Sequence, residues 1–335
     1  MAIDPHTHVI PKAFLEDIRK GRLGDSVKIE QEKGTERMEF RATIFGKERV
    51  WGNILNEPYY VVDIRLKDME RMGVERQVLS VSPFMTLYML DAGVNKEISA
   101  SINDGLSDLV RKNPEKFSCM AQVPLQDPKA AAEELGRAAK NGHIGVQIAA
   151  NIAGKNLDDP ELDVFWEKAV SLDFPIFIHP QGQAASPERL QDYYLRNFIG
   201  NPLDTTIAVS CLIFGGVLDR FPDIKFYLSH VGGFVPWIRG RWQHGYGERE
   251  EPKVHGAKDP EQYFEKFYYD TIIHNPDCLE FAVKTLGADN ILYGTDYPAD
   301  MGNHQPARDI PGLSRLPAAD QEKILSGNAR KLYRL

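Results

Sequence analysis

The chain has 335 residues, 42% of them hydrophobic, which is enough for a large buried core and more than the roughly 100–200 residues of a typical domain. Lys and Arg total 40 against 48 Asp and Glu, a formal net charge of −8, and no basic block is present that could track a phosphate backbone, so nucleic acid is not an expected partner. The start lacks a secretory signal, no run approaches the roughly 18 apolar residues of a membrane span, and Cys119, Cys211 and Cys278 lie too far apart to suggest a disulfide framework or a cysteine zinc site. The expectation is a soluble cytoplasmic protein.

In chain order, runs rich in Val, Ile, Tyr and Phe predict strands over residues 3–8, 76–82, 118–123, 145–149, 175–179, 225–230, 266–270 and 291–295. Between the first two, residues 21–60 break the pattern: "SVKIEQEKGTERMEFRATIFGKERVWGN" alternates charged and apolar residues and turns at Lys33-Gly34 and Gly46-Lys47, the signature of a small β insertion. The later connections read as helices. "VNKEISASINDGLSDLVRKNPEKF", "DPKAAAEELGRAAKNG" and "DPELDVFWEKAVSLDF" each begin near an Asp or Asn able to cap a helix. Repeated alternation of strand and helix implies a parallel sheet, and eight units in this length predict a (β/α)8 TIM barrel, an α/β fold, rather than an open sheet. No GxGxxG follows a strand, and no linker divides the chain, so residues 1–335 are expected to form one barrel domain with the insertion lying over its mouth.

The opening strand, within "AIDPHTHVIPK", carries His6 and His8 two apart, a spacing that points both imidazoles to one face. Alone this is a weak signal. However, "FPIFIHP" ends the fifth predicted strand on His179, "IKFYLSHVGG" ends the sixth on His230, and "NILYGTDYP" ends the eighth at Asp296. A parallel barrel gathers the carboxyl ends of its strands on one face, so these five groups converge on a single mouth, a geometry suited to a divalent metal. His143, His244, His255, His274 and His304 fall in helical or loop segments and are read as ordinary surface or hydrogen-bonding residues, with His274 close enough to the seventh strand to touch a substrate.

The set "DPHTHVIP", "FIHP", "LSHVGG", "YGTDYP" and "GNARKLYRL" resembles the amidohydrolase superfamily, and within it the branch of 2-amino-3-carboxymuconate 6-semialdehyde decarboxylase; the resemblance covers nearly the whole chain. It implies one Zn2+, or another divalent ion such as Mn2+, held by His6, His8, His179 and Asp296 with water in an open position, and His230 as acid/base beside that water. Asp296 both ligates and orients water on this view. The fourth predicted strand, "IGVQIAA", offers Gln147 but no lysine to bridge a second metal. By resemblance Arg49, Arg241 and Arg249 match positions that bind a substrate carboxylate, to which arginine's planar fork is suited. Arg241 matches the arginine that reaches in from a partner subunit, so a homodimer or higher homo-oligomer is implied. Departures fall in the pocket: Gln181, Tyr194 and Asn197 stand where the branch has tryptophans, which implies a differently shaped or more polar substrate.

The reading that best fits is a metal-dependent, non-oxidative decarboxylase of a small unsaturated or aromatic carboxylate. The alternatives are a hydrolase or hydratase using the same ligands, and a non-catalytic barrel that keeps zinc for stability.

Overall fold

A computed structural model of the chain describes residues 1–32, 34–44, 47–181 and 187–335. The strands are β1 (Ala2–Val9), then β2 (Val27–Glu32), β3 (Thr35–Ile44) and β4 (Lys47–Ile54) of the insertion, then β5 (Val74–Val81), β6 (Phe117–Cys119), β7 (Val146–Ala149), β8 (Ile176–His179), β9 (Phe226–Leu228) and β10 (Phe267–Tyr269). Every residue of β1, β6, β7, β8 and β9 is buried, as strands covered on both faces must be, which explains their near-continuous apolar runs.

These strands form two parallel arcs, β1-β5-β6 and β10-β9-β8-β7. Parallel bridges join them at Ala121–Val146 on one side, and at Tyr269–Ile291 and Thr7–Tyr297 on the other. The fold is the expected (β/α)8 barrel, with one difference at its eighth position. Residues 291–295 make no continuous ladder. Leu292 N–H donates to Tyr269 O at 2.7 Å, Tyr293 N–H to Ile324 O at 2.8 Å, and Asp296 N–H to His6 O at 2.8 Å, so the segment's donors are divided among three neighbours. Asp296 then leaves extended backbone at φ +55°.

Acidic caps stand at or just ahead of the expected helices. Asp91 accepts the N–H groups of Gly93 and Val94 at the start of Ala92–Lys112, Asp127 accepts Ala130 N–H at the start of Pro128–Lys140, and Asp159 accepts Glu161 N–H just ahead of Asp163–Ser171. Among the described residues no helix is long and apolar enough to cross a membrane.

Inside the barrel a buried layer of Ile3, Val78, Met120, Phe177, Tyr227 and Leu292 packs against Leu332 and Tyr333 of the terminal helix Asn328–Tyr333. Each fully buried large apolar side chain contributes about 1.5–3 kcal/mol relative to exposure. Ile3 belongs to the amino end of β1 and His6 to its carboxyl half, and the His6 ring rests on Phe177 at 4.9 Å. The apolar layer is therefore the floor of the site.

The insertion is an antiparallel meander, β2-β3-β4. In β3 Met38 and Phe40 are buried, and Phe40 packs on Trp51 and on Phe84 in the loop after β5. Its anchor is thus the rim at the carboxyl end of β5.

Candidate metal centre

His6 and His8 project from β1, His179 is the last residue of β8, His230 opens the turn after β9, and Asp296 follows the eighth barrel segment. All five sequence-predicted groups meet. Ring centroids lie 5.2 Å apart for His6–His8, 5.1 Å for His6–His179, 4.9 Å for His8–His179, 5.3 Å for His6–His230 and 4.9 Å for His179–His230. Donor atoms of His6, His179, His230 and Asp296 all lie within 4.8 Å of one another. His8 lies outside that group, but its Nε2 is 3.1 Å from Asp296 Oδ1, the oxygen that also faces His6 Nε2 at 3.4 Å, whereas His230 Nε2 lies 3.5 Å from Asp296 Oδ2. The two carboxylate oxygens therefore face different imidazoles.

The far nitrogens of His6, His8 and His179 each have an acceptor. His6 Nδ1 meets Asp270 Oδ2 at 2.5 Å, His8 Nδ1 meets Val81 O and Ser80 Oγ at 3.0 Å, and His179 Nδ1 meets Pro180 O at 2.8 Å. A carbonyl or carboxylate oxygen can only accept, so the proton sits on Nδ1 and the Nε2 lone pair is directed inward. The Nε2 atoms of His6, His8 and His179 are buried and have no hydrogen-bond partner. Three orphaned imidazole lone pairs around a carboxylate are the donor set of a divalent cation, and the residues present fit one.

Electrostatics agree with that arrangement at His8 and His179, and at His6 they favour a proton that a bound cation would displace. Burial, with the neighbouring imidazoles, holds His179 well below its ordinary range, and burial likewise lowers His8, so both keep a free lone pair. Burial opposes charge on His6 too, yet Asp296 and Asp270 outweigh it and raise that imidazole to about 10. Asp296 also resists burial: His6, His230 and His8 hold it well below the usual carboxylate range.

Three buried charged residues around the cluster escaped sequence reasoning. Asp270, immediately after β10, accepts from His6 Nδ1–H and also from the backbone N–H groups of His230, Val231 and Ile272. Asp4 accepts Thr295 Oγ1–H at 2.6 Å and the N–H groups of His6 and Thr295 at 3.2 Å, tying β1 to the eighth segment. Arg65 donates to Thr7 Oγ1, Gln77 Oε1 and His8 O, with its guanidinium 4.8 Å over the Tyr297 ring. The available signal was the carboxylate of "YYDT" at the end of a predicted strand, matching the position of Asp296.

Beside the cluster a pocket is lined by His230, Asn197, Phe198, Phe234, Trp237 and His274, among others. Trp237 stacks on Phe281 at 4.4 Å and 12°, which fixes one wall. His274 thus stands where the sequence placed it, and His304 packs edge-on against Tyr297, beside Asp296.

The expected substrate contacts are more dispersed. Tyr194, at φ +61°, sits at the rim with its ring against Phe198 and its hydroxyl 3.3 Å from Asp300 Oδ2. Gln181 is half-buried, and its Nε2 has no partner. Arg49 is exposed on β4, Arg241 is exposed on the helix Val235–Glu248, and Arg249 pairs with Glu251. Among the described residues no ion pair or hydrogen bond joins these three arginines to the histidine cluster.

Comparison with known proteins supplies the family context. The sequence pattern of the amidohydrolase family matches residues 3–335. The 2-amino-3-carboxymuconate-6-semialdehyde decarboxylase of Dictyostelium discoideum is 30% identical over 334 residues, 98% of this chain and 90% of that one. A gamma-resorcylate decarboxylase of Polaromonas sp. is 28% identical over 326 residues, 93% of this chain and 99% of that one. Among solved structures, a dihydroxybenzoic acid decarboxylase from Polaromonas sp., with manganese and the inhibitor 2-nitroresorcinol bound, superposes with a TM-score of 0.78 at 24% identity, covering 100% of this chain and 97% of that one.

Proposed function

Because the chain belongs to the amidohydrolase family, we propose that it is a metal-dependent, non-oxidative decarboxylase of a small unsaturated or aromatic carboxylate. The observation that carries this reading is the meeting, at one end of the barrel, of three buried imidazole nitrogens without partners and an aromatic-walled pocket lined by His230. Two relatives that align along almost their full length are named as decarboxylases, which supports the same reaction class.

In this proposal His6, His8, His179 and Asp296 hold the ion, Zn2+ by resemblance or Mn2+ as in the Polaromonas structure. When bound, the ion supplies a fixed positive charge that polarises a substrate or water oxygen. The chain's own residues do the rest. His230 borders both the cluster and the pocket, with Nε2 facing Asp296 Oδ2, so it can hold a proton at the position where the substrate carbon needs one. That carbon takes up one proton, and its bond to the carboxylate breaks to release carbon dioxide. Phe198, Phe234 and Trp237 offer apolar surface to the flat face of the substrate.

Arg241, exposed on the helix whose first turn borders the pocket, is assigned to a carboxylate in a homodimeric assembly; Arg49 and Arg249 carry the same assignment from exposed positions. Gln181 and Tyr194 are assigned to substrate selection at the rim. The test is to load the purified protein with Zn2+ or Mn2+ and screen carboxylated muconates, benzoates and pyridines for released carbon dioxide and product mass. Carbon dioxide release with a product lighter by that amount is expected. A product heavier by one water would instead establish the hydrolase or hydratase reading.

A further inference from the structure

We infer that Asp270 is a positioning residue that sets the metal ligand His6 and the proton carrier His230 with one carboxylate; the His230 half of this inference rests on the function proposed above. The geometry is unusual for a residue outside the ligand set. Asp270 is fully buried. Its Oδ2 accepts from His6 Nδ1 at 2.5 Å and from the backbone N–H of His230 at 2.8 Å. Its Oδ1 accepts from Val231 N–H at 2.8 Å and Ile272 N–H at 3.0 Å. Four donors thus converge on two oxygens, satisfying a carboxylate that could not otherwise be buried.

The backbone it holds is strained. His230 and Val231 are consecutive non-glycine residues at φ +53° and +55°, a region that side chains bearing a Cβ rarely occupy. Val231 is β-branched, which makes the conformation still less favourable. Such a turn persists only where surrounding contacts over-determine it, and the two amides donated to Asp270 are those contacts. The turn in turn fixes the start of the His230 side chain, whose Nε2 faces Asp296 and whose ring borders the pocket. On the other side, the bond to His6 Nδ1 fixes the tautomer that leaves Nε2 free, and it sets the ring plane. Neither imidazole can shift far without disturbing the carboxylate that serves the other.

The test is Asp270→Asn, which preserves size but offers one acceptor oxygen in place of two. Zn2+ affinity is read by competition with a chromophoric chelator, in wild type and in the His230→Ala background, alongside the unfolding temperature of the chelated protein. The expected result is Zn2+ binding weakened about 10- to 100-fold in both backgrounds, because the effect passes through His6. At saturating Zn2+, with a substrate that releases carbon dioxide, kcat falls at least about tenfold while KM stays within about twofold, because His230 is misplaced for proton transfer. A purely structural role would lower the unfolding temperature and leave Zn2+ affinity alone. Affinity within about twofold of wild type, or an unchanged kcat at saturating Zn2+, overturns the inference. Should Asp270→Asn not fold, Asp270→Glu, which keeps the charge but lengthens the reach by one methylene, is held to the same outcomes. The Zn2+ titration needs no turnover, so a failure of the decarboxylase reading leaves the His6 half of the inference separately testable.

Discussion

Two buried histidine environments in this barrel look alike at close range and differ in what lies beyond. His143, after the helix Pro128–Lys140, is 2% exposed, places Nδ1 3.0 Å from Ala138 O, and has an unpartnered Nε2. His179, at the end of β8, is 5% exposed, places Nδ1 2.8 Å from Pro180 O, and has an unpartnered Nε2 as well. The local description is almost the same. What separates them is convergence: His179 is grouped with His6, His230 and Asp296 and has the His8 ring at 4.9 Å, whereas among the described residues no such group includes His143. An unpartnered buried nitrogen is therefore a cost that can be tolerated singly, and a metal site only where several share one point.

The largest test of that distinction is substitution of the two residues. His179→Ala should abolish stoichiometric metal binding and slow turnover by more than about a thousandfold, equivalent to about 4 kcal/mol of lost barrier reduction, while His143→Gln keeps both near wild type. Metal analysis by mass spectrometry and a carbon dioxide assay check this. Equal metal loss in both variants would erase the contrast.

Chelation comes next. At a metal concentration about a thousandfold above the dissociation constant, binding adds about 4 kcal/mol to folding stability, which a strong chelator should remove. The loss should appear in wild type and in His143→Gln, and be absent in His179→Ala, when unfolding is followed by circular dichroism.

His143 makes its own contribution through pH. Burial pushes it down to about 4 from an ordinary 6.5, with the Ala138 carbonyl only partly opposing that shift. The unfolded chain therefore binds the proton first as pH falls, so stability is intact above about pH 6.5 and drains away down to about pH 4. Wild type should lose about 3 kcal/mol more than His143→Gln across this window, measured by denaturant unfolding at fixed pH values. Coincident profiles would place the acid sensitivity elsewhere.

The smallest effect concerns a carboxylate doing locally what Asp270 does at long range. Asp91 also accepts two backbone amides, but it is exposed and caps its own helix. Asp91→Ala should cost about 1 kcal/mol and leave metal content unchanged. A change in metal binding there would mean that site geometry responds to general loosening of the barrel.

The same contrast explains what could be read from the sequence. His6, His8, His179, His230 and Asp296 were legible because strand ends in a parallel barrel share a face, so position along a predicted strand substitutes for coordinates. The cap at Asp127 was legible because capping is local, whereas Asp91 starts its helix two residues ahead of the expected segment and Asp159 caps a short 3-10 turn before the helix Asp163–Ser171. Asp270 was not, since its role depends on His6, 264 positions away, and on an unusual turn at His230. Arg65 was not singled out either, yet it is buried against β1 through bonds to Thr7 and His8. Residues 291–295 read as a strand by composition, but their donors go to three neighbours in place of one ladder. Long-range hydrogen bonding, which no short pattern encodes, accounts for each omission.

The central claim is that metal holding and proton delivery belong to different histidines of one cluster. His230→Ala tests it most directly, with bound metal counted and carbon dioxide release measured on the same preparation. Metal near wild-type stoichiometry with turnover reduced by at least about a thousandfold is the predicted result. A fully active His230→Ala protein, or one that has lost its metal, would contradict the division.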